Sequence, residues 1–428
     1  MTSTATRVHA LTVETTQVDD VRELIPLTDS RDPLLWLRDG DGLAGFGEAA
    51  RLVFEGEHRL ADAAEAWRAL ASEAGVDDAL GLPGTGLVAF GAFTFSASSA
   101  RPSVLIVPEV IVGRRGGVCW VTRVRAQDEA SPETPRARPL GRLGSARFTQ
   151  GALAEAGYRS AVREAIGALG SAALRKVVLA RDLVGRVSGD ADIRVALDRL
   201  AHSYAGCWTY AVDGLLGASP ERLVRVHAGE VASRVLAGTA ARGSDAARDA
   251  AARDALAASA KDHEEHAYAV GSVLDALGPH CDVLGASEQP FTLELPNLWH
   301  LATDVHGTLS DGSSALDLVA ALHPTAAVAG TPTDVAVRLI ERLEPFDRGR
   351  YAGPVGWVGA NGDGEWAIAL RGAEVSRPLN LEHTARSGEE GVREVRAFAG
   401  CGIVAHSDPD AELAESTVKL RPILDAFA

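Results

Sequence analysis

Over the first 125 positions the apolar residues fall mainly in short runs without helical spacing. Leu34–Leu37, Gly42–Gly47, Gly86–Phe93 and Ser103–Val107 each have the length and composition of a strand. Residues 57–74 carry the helical period and predict one amphipathic helix. Glycines crowd between 81 and 91, where tight turns in a sheet account for them. The dipeptide Gly-Lys never occurs, which excludes a Walker A phosphate loop. From Gln127 to about Ser145 the chain is rich in Pro, Arg, Ala and Glu and reads as an exposed connector.

Beyond the connector the pattern changes. Helical spacing covers about 150–168, 191–204, 244–258, 261–277 and 333–343. Between these lie the strand candidates Lys176–Arg181, Trp208–Val212, Gly214–Ala218, Val235–Ala240 and Glu365–Arg371, the last closing on an arginine. Ser219-Pro220-Glu221-Arg222-Leu223 reads as a turn entering a further strand. Near the end, Gly400-Cys401-Gly402-Ile403-Val404 is a glycine-punctuated apolar run. Ser407-Asp408-Pro409-Asp410 then supplies a cap, a first-turn proline and early acids for a last helix. Runs of strands and runs of helices, without strict βαβ alternation, predict α+β layers.

Composition narrows the possible functions. An apolar share of 46% is enough for a large core, and 428 residues suit either two or three domains or one large layered unit. A formal charge of −16 argues against nucleic-acid binding, because no basic excess exists to displace counterions. An anionic metabolite would need a local cluster of Arg, Lys or metal. No apolar run approaches a membrane span, and the segment from Met1 to about Ile25 lacks a signal-peptide core. Cys119, Cys207, Cys281 and Cys401 lie far apart without C-x-x-C spacing, so reduced, mostly buried thiols in a cytoplasmic protein are expected.

Only three of the 42 basic residues are lysines: Lys176, Lys261 and Lys419. In a chain that uses arginine for general cationic duty, a retained lysine marks a place where a permanently charged guanidinium would fail, or it is chance. Two of the three accompany acidic helices. Glu412, Glu415 and Lys419 share one helix face, as do Asp262 and Glu265 in Lys261-Asp262-His263-Glu264-Glu265-His266. Two helices with paired carboxylates could grip a hard divalent cation such as magnesium. They could equally be two solvated acidic faces with an ordinary i,i+4 ion pair. His263 and His266 stand three apart, not the four that an H-E-x-x-H zinc site needs, and no G-x-S-x-G elbow surrounds Ser219.

From about 150 onward, motifs in one order carry a family resemblance. They are KVVLAR at 176–181, SPERL at 219–223, LAGTAARG at 236–243, KDHEEH at 261–266 and LWHLAT at 298–303. They continue with LHPTAAVAGTP at 322–332, RGRYAGPVGW at 348–357, GEWAIALR at 364–371, and GCGIV followed by E-x-x-E-x-x-x-K. This series resembles the chorismate-utilising enzymes: the isochorismate, salicylate and anthranilate synthases and their relatives. The resemblance implies an α+β fold, a large layered sandwich of two stacked, mostly antiparallel sheets with outer helices. A variable β-rich part (1–150) and a chorismate-binding region (151–428) would form one integrated unit.

The same resemblance implies roles. Glu265 and Glu415 correspond to magnesium ligands, with Asp262 and Glu412 in support, and the Mg²⁺ would hold the substrate's ring carboxylate. Arg371 and Tyr351 correspond to residues holding the enolpyruvyl carboxylate. His300, Gly238, Thr239, Gly400 and Gly402 would complete the ring-carboxylate pocket, and Lys419 matches a site lysine nearby. Lys176 corresponds to a general base that activates water, and Glu221 to the acid that protonates the departing hydroxyl. Ala237 stands where aminodeoxychorismate synthases carry a nucleophilic lysine. Ala327 stands where isochorismate synthases usually have alanine, and salicylate and anthranilate synthases threonine. The expectation is therefore an Mg²⁺-dependent isochorismate synthase acting on chorismate, with salicylate synthase and an anthranilate-type amine-transferring component as alternatives. A monomer with no obligatory protein partner is expected, and both menaquinone and siderophore routes are compatible with it. Cys401 and Ala326 depart from the family's usual alanine and proline.

Overall fold

The computed structural model describes residues 10–169, 173–378 and 391–428. Two large sheets lie face to face, and among the described residues every strand pairing but one is antiparallel; the exception joins Leu11–Val18 to Gly75–Asp78. Each sheet draws strands from both parts of the chain. In the first, Leu34–Arg38 pairs with Trp208–Val212. In the second, Val88–Ala92 pairs with Pro354–Gly359.

Strand alternation sorts the side chains into layers. Leu34 and Trp36 join Phe90, Ile106, Trp208, Tyr210, Trp357 and Ala367 in the core between the sheets. Leu35 and Leu37 point the other way, into a cluster with the helix Arg194–Ser203 and the last helix, Pro409–Ala426. Ala89 and Phe93 likewise leave the inter-sheet layer and pack under Arg59–Glu73, Ala260–Leu277, Ala315–Leu322 and Thr333–Leu343. Helices therefore cover both outer faces, as a two-sheet sandwich with apolar outer faces requires.

Most predicted elements are present, with shifted ends. The connector carries no helix or strand until Thr149, and the glycine-rich stretch is turned by Gly81, Gly84 and Gly86 at positive φ. Strand Lys176–Arg181 runs on to Ser188, and the Gly400–Val404 run is the end of a long strand, Val392–Ile403, paired beside it. Two corrections concern functional positions. The strand expected at 365–371 stops at Ile368, and Arg371 lies in the link before the next strand, Gly372–Val375, at φ +50°. Ser219 ends the strand Leu215–Ser219 and is not part of the turn.

Both corrections have one cause. Leu215–Ser219 belongs to the first sheet and Arg222–His227 to the second, so Pro220-Glu221 carries the chain across the sandwich. Residues 369–371 carry it back, from Gly364–Ile368 in the second sheet to Gly372–Val375 in the first. The two crossings run side by side, joined by Ile368 N–H to Glu221 O (3.1 Å) and Ala218 N–H to Arg371 O (3.3 Å). A chain that changes sheets cannot hold ladder geometry, and its backbone groups must pair locally. Of the four cysteines, all unpaired, Cys281 is only half-buried. Among the described residues no helix is long and apolar enough to cross a membrane.

Candidate functional site

A cavity opens at the seam where the two crossings meet. Its wall brings together Glu221, Gly238, Thr239, Glu265, His300, Ala327, Tyr351, Arg371, Gly400, Gly402 and Lys419, which lie far apart in sequence. Four residues expected at the site do not line it: Lys176, Asp262, Glu412 and Glu415 stand behind the wall.

Lys176 is fully buried on the strand that pairs, through Val178, with Gly402. Its Nζ lies 3.0 Å from Glu265 Oε1, close enough for an ion pair, yet it makes no well-directed hydrogen bond. Gly402 leaves room for this approach: a Cβ there would sit 2.2 Å from Glu265 Oε1 and 2.9 Å from Lys176 Cε. Across the cavity, Glu221 is 4% exposed, and one carboxylate oxygen accepts the Leu236 N–H at 3.3 Å. Burial pushes its carboxyl up to about 7, although that N–H and the positive charges of Lys176, Arg371 and Lys419 pull the other way.

The strand Glu230–Ala241 loses register against Leu298–Leu309 between Leu236 and Thr239. This bulge, with Gly238 at φ +81°, re-aims the backbone toward the cavity. It also places Gly238 O (3.2 Å) and Thr239 Oγ1 (3.1 Å) on His300 Nδ1. On the other ring nitrogen, His300 Nε2, an Arg371 N–H donates at 2.9 Å. A guanidinium can only donate, so Nε2 accepts and the proton resides on Nδ1. Burial first, and then Arg371, hold His300 neutral, well below the usual imidazole range. Tyr351 stacks on Phe398 with ring centres 5.0 Å apart. The buried Arg371 and the Tyr351 ring thus line one side of the cavity, and the glycine backbone another.

Behind the wall the acidic helices converge. Lys419 Nζ meets Glu415 Oε1 at 2.5 Å and donates to Gly400 O at 3.2 Å. Burial works against both charges, but their mutual attraction lowers the Glu415 pKa and raises that of Lys419. Glu412 is almost fully buried with Lys261 at 3.4 Å; burial, then the neighbouring Glu415 charge, push it up to about 7. Asp262 rises for similar reasons, burial first, with the charges of Glu265 and Glu415 adding. Carboxylates that raise one another's proton affinity are an oxygen-donor set short of positive charge, and such a set fits a hard divalent cation.

Cys401 faces the same group. Its Sγ and oxygens of Glu412 and Glu415 lie within 4.8 Å of one another, and it donates to Glu412 O at 3.3 Å. Burial holds it as a thiol, which a hard cation does not favour as a ligand. The zinc-like decoy is resolved by hydrogen bonding: His266 is buried between Ala237 O and Thr303 Oγ1, and His263 bonds Ala257 O. Ser219 Oγ is committed to Ile368 O at 2.6 Å.

The comparisons agree with this architecture. The family model described as chorismate binding enzyme matches residues 3–428. The chain belongs to the chorismate binding enzymes. Within that family, the isochorismate synthase DhbC of Bacillus subtilis is 38% identical over 282 residues, 63% of this chain and 67% of that one. The salicylate biosynthesis isochorismate synthase of Pseudomonas aeruginosa is 31% identical over 432 residues, covering 94% and 86%. The solved structure of MenF, the menaquinone-specific isochorismate synthase from Escherichia coli, covers 97% of this chain and 95% of its own. Its TM-score is 0.76 at 24% identity, a likeness of fold.

Sequence reading missed several walls of this cavity: Pro220, Leu236, Val328, Phe398 and the buried Arg348. Arg348 lies within the RGRYAGPVGW motif, but its pairing with Glu344 and its bonds to Val178 O and Val328 O are set only by the fold. Apolar wall residues give no chemical signal in sequence.

Proposed function

We propose that this chain is an Mg²⁺-dependent isochorismate synthase, an isomerase that moves a hydroxyl on chorismate. The observation that carries the reading is the seam cavity. A carboxyl pushed up to about 7 lies on one side, a buried lysine stands behind the other, and a buried guanidinium and a metal-fitting acid cluster flank them. Relatives across most of the chain that bear the isochorismate synthase name support it.

In this reading Arg371 and Tyr351 hold the enolpyruvyl carboxylate, the planar guanidinium matching it bidentately. His300, neutral and locked by Arg371 and Gly238 O, lines the ring-carboxylate end with the backbone amides of Gly238, Thr239, Gly400 and Gly402. Glu265 and Glu415, supported by Asp262 and Glu412, would hold Mg²⁺. A cation held there would supply positive charge for the ring carboxylate. Lys176, as a free amine, takes a proton from water as the oxygen bonds to ring carbon 2. The ring double bonds shift, the C4–O bond breaks, and Glu221 gives its proton to the departing hydroxyl, which leaves as water. Ala327 leaves a small wall in the cavity, in keeping with this outcome over pyruvate elimination.

The test is product identification by chromatography after incubation with chorismate, with and without Mg²⁺. Accumulating isochorismate is the expected result. Prompt pyruvate release without a partner lyase would instead make it a salicylate synthase, and an ammonia-dependent aminated product an anthranilate-type enzyme.

A further inference from the structure

Away from the seam, between the two sheets, arginines gather without enough counter-charge. In the strand Arg222–His227, register against Gly364–Ile368 shifts between Arg222 and Val224. Arg222 therefore lies opposite Ala367 and Arg225 opposite Glu365, two residues on the same face of that strand. Ala367 belongs to the inter-sheet core, and Glu365 accepts a hydrogen bond from Trp36 Nε1 (3.0 Å) of the facing sheet. Both arginines thus point between the sheets. Ala232 pairs with Arg225, which puts Arg234, two residues on, along the same side. From the first sheet, Arg38 lays its guanidinium 4.2 Å over the Trp208 ring, and Arg222 approaches that ring at 5.7 Å.

Arg38 is served by Gly206 O at 2.9 Å and by Asp39 at 3.7 Å, and two further carboxylates stand near the group. Asp304 is spent on Arg234 in a two-pronged bond of 2.7 and 2.8 Å, and Glu365 on Trp36. Among the described residues no hydrogen bond or ion pair holds the guanidinium of Arg222 or Arg225. The Nε of each is buried without a partner, as is Trp208 Nε1. Arg222 is nine-tenths buried. Burial pushes its pKa down to about 10, and Arg225, Arg234 and Arg38 add to this against the opposing pull of Glu365. Buried donors left without acceptors cost free energy unless a water or an ion meets them. In a chain of net charge −16 this concentration of unpaired cations is local and specific.

We infer that this inter-sheet cluster of Arg222, Arg225 and Trp208 Nε1 binds a small oxyanion, a phosphate or a carboxylate. Arg38 and Arg234, whose side chains are 33% and 21% exposed, form its entrance. Planar N–H forks beside an indole N–H match oxyanion acceptors. The site lies one residue from Glu221 but on the far side of the second sheet's strand, so it is separate from the seam cavity.

The experiment is thermal melting of the full chain by circular dichroism in inorganic phosphate, succinate and chloride at matched ionic strength. Phosphate, succinate or both should raise Tm saturably by about 2 °C beyond chloride. The anion that acts alone identifies the source as tetrahedral or carboxylic. Arg225→Gln should remove the rise, whereas Arg371→Gln, which alters the seam cavity, should keep it. Arg38→Gln, at the entrance, serves as a second variant if Arg225→Gln does not fold. A rise no greater than that in chloride, or one undiminished by the Arg225 or Arg38 change, overturns the inference.

Discussion

Glu221 is a carboxylic acid whose surroundings keep its proton near neutral pH. Its folded pKa is raised to about 7 by burial. In the proposed role of acid donor it must be protonated, so activity should decline as pH rises through about 7. The sign for stability is the same: the raised carboxyl contributes stability that is complete below its unfolded value near 4.3 and lost as pH rises through about 7. Glu221→Gln should lower kcat by about 10²–10⁴-fold and flatten the stability profile across that interval, read by urea titration at several pH values. At Lys176 the chemical type is the point. Lys176→Ala and Lys176→Arg should both be inactive, because a guanidinium keeps its proton. Activity in either variant, measured by isochorismate formation, would remove Lys176 from the base role. Both positions were singled out in the sequence through their motifs. The reason Glu221 can hold a proton was not, since burial depends on which segments close over it.

At the scale of elements, the site depends on strands and helices meeting at places where regular geometry fails. The Gly402 strand position admits Glu265 and Lys176 side by side. Gly402→Ala should leave melting cooperative while cutting activity at least tenfold, because the methyl must displace a carboxylate oxygen or a lysine methylene. The two acidic helices should share a metal, so Mg²⁺ should raise the Tm of the protein and EDTA should reverse it. Glu415→Gln should blunt that response, read by calorimetry without any substrate. Periodicity located these helices to within a few residues, and the cap at Asp408, which accepts from Asp410 N–H and Ala411 N–H, matches its sequence signature. Periodicity was silent on the bulge at Gly238 and on the crossing at Arg371. Both are decided by where the partner strand lies.

For the whole molecule, the buried pair Glu344–Arg348 fastens the layers around the seam. Glu344 accepts from Ala180 N–H at 2.7 Å and from two Arg348 nitrogens, and Arg348 reaches Val178 O and Val328 O. Glu344→Ala would strand a buried guanidinium, and a stability loss of about 3–5 kcal/mol is expected in denaturant titration. By itself the sequence determined what local chemistry can encode. Strand and helix periods, caps, the lack of a basic excess, the scarce lysines and the motif series placed the chain in a layered α+β family. Only the tertiary structure decided which carboxyls burial pushes up to about 7, which nitrogen of His300 carries the proton, and that Lys176, Asp262, Glu412 and Glu415 stand behind the cavity wall. Those properties depend on desolvation and on partners distant along the chain, such as Lys261 beside Glu412 and Arg371 on His300, and no local pattern records either.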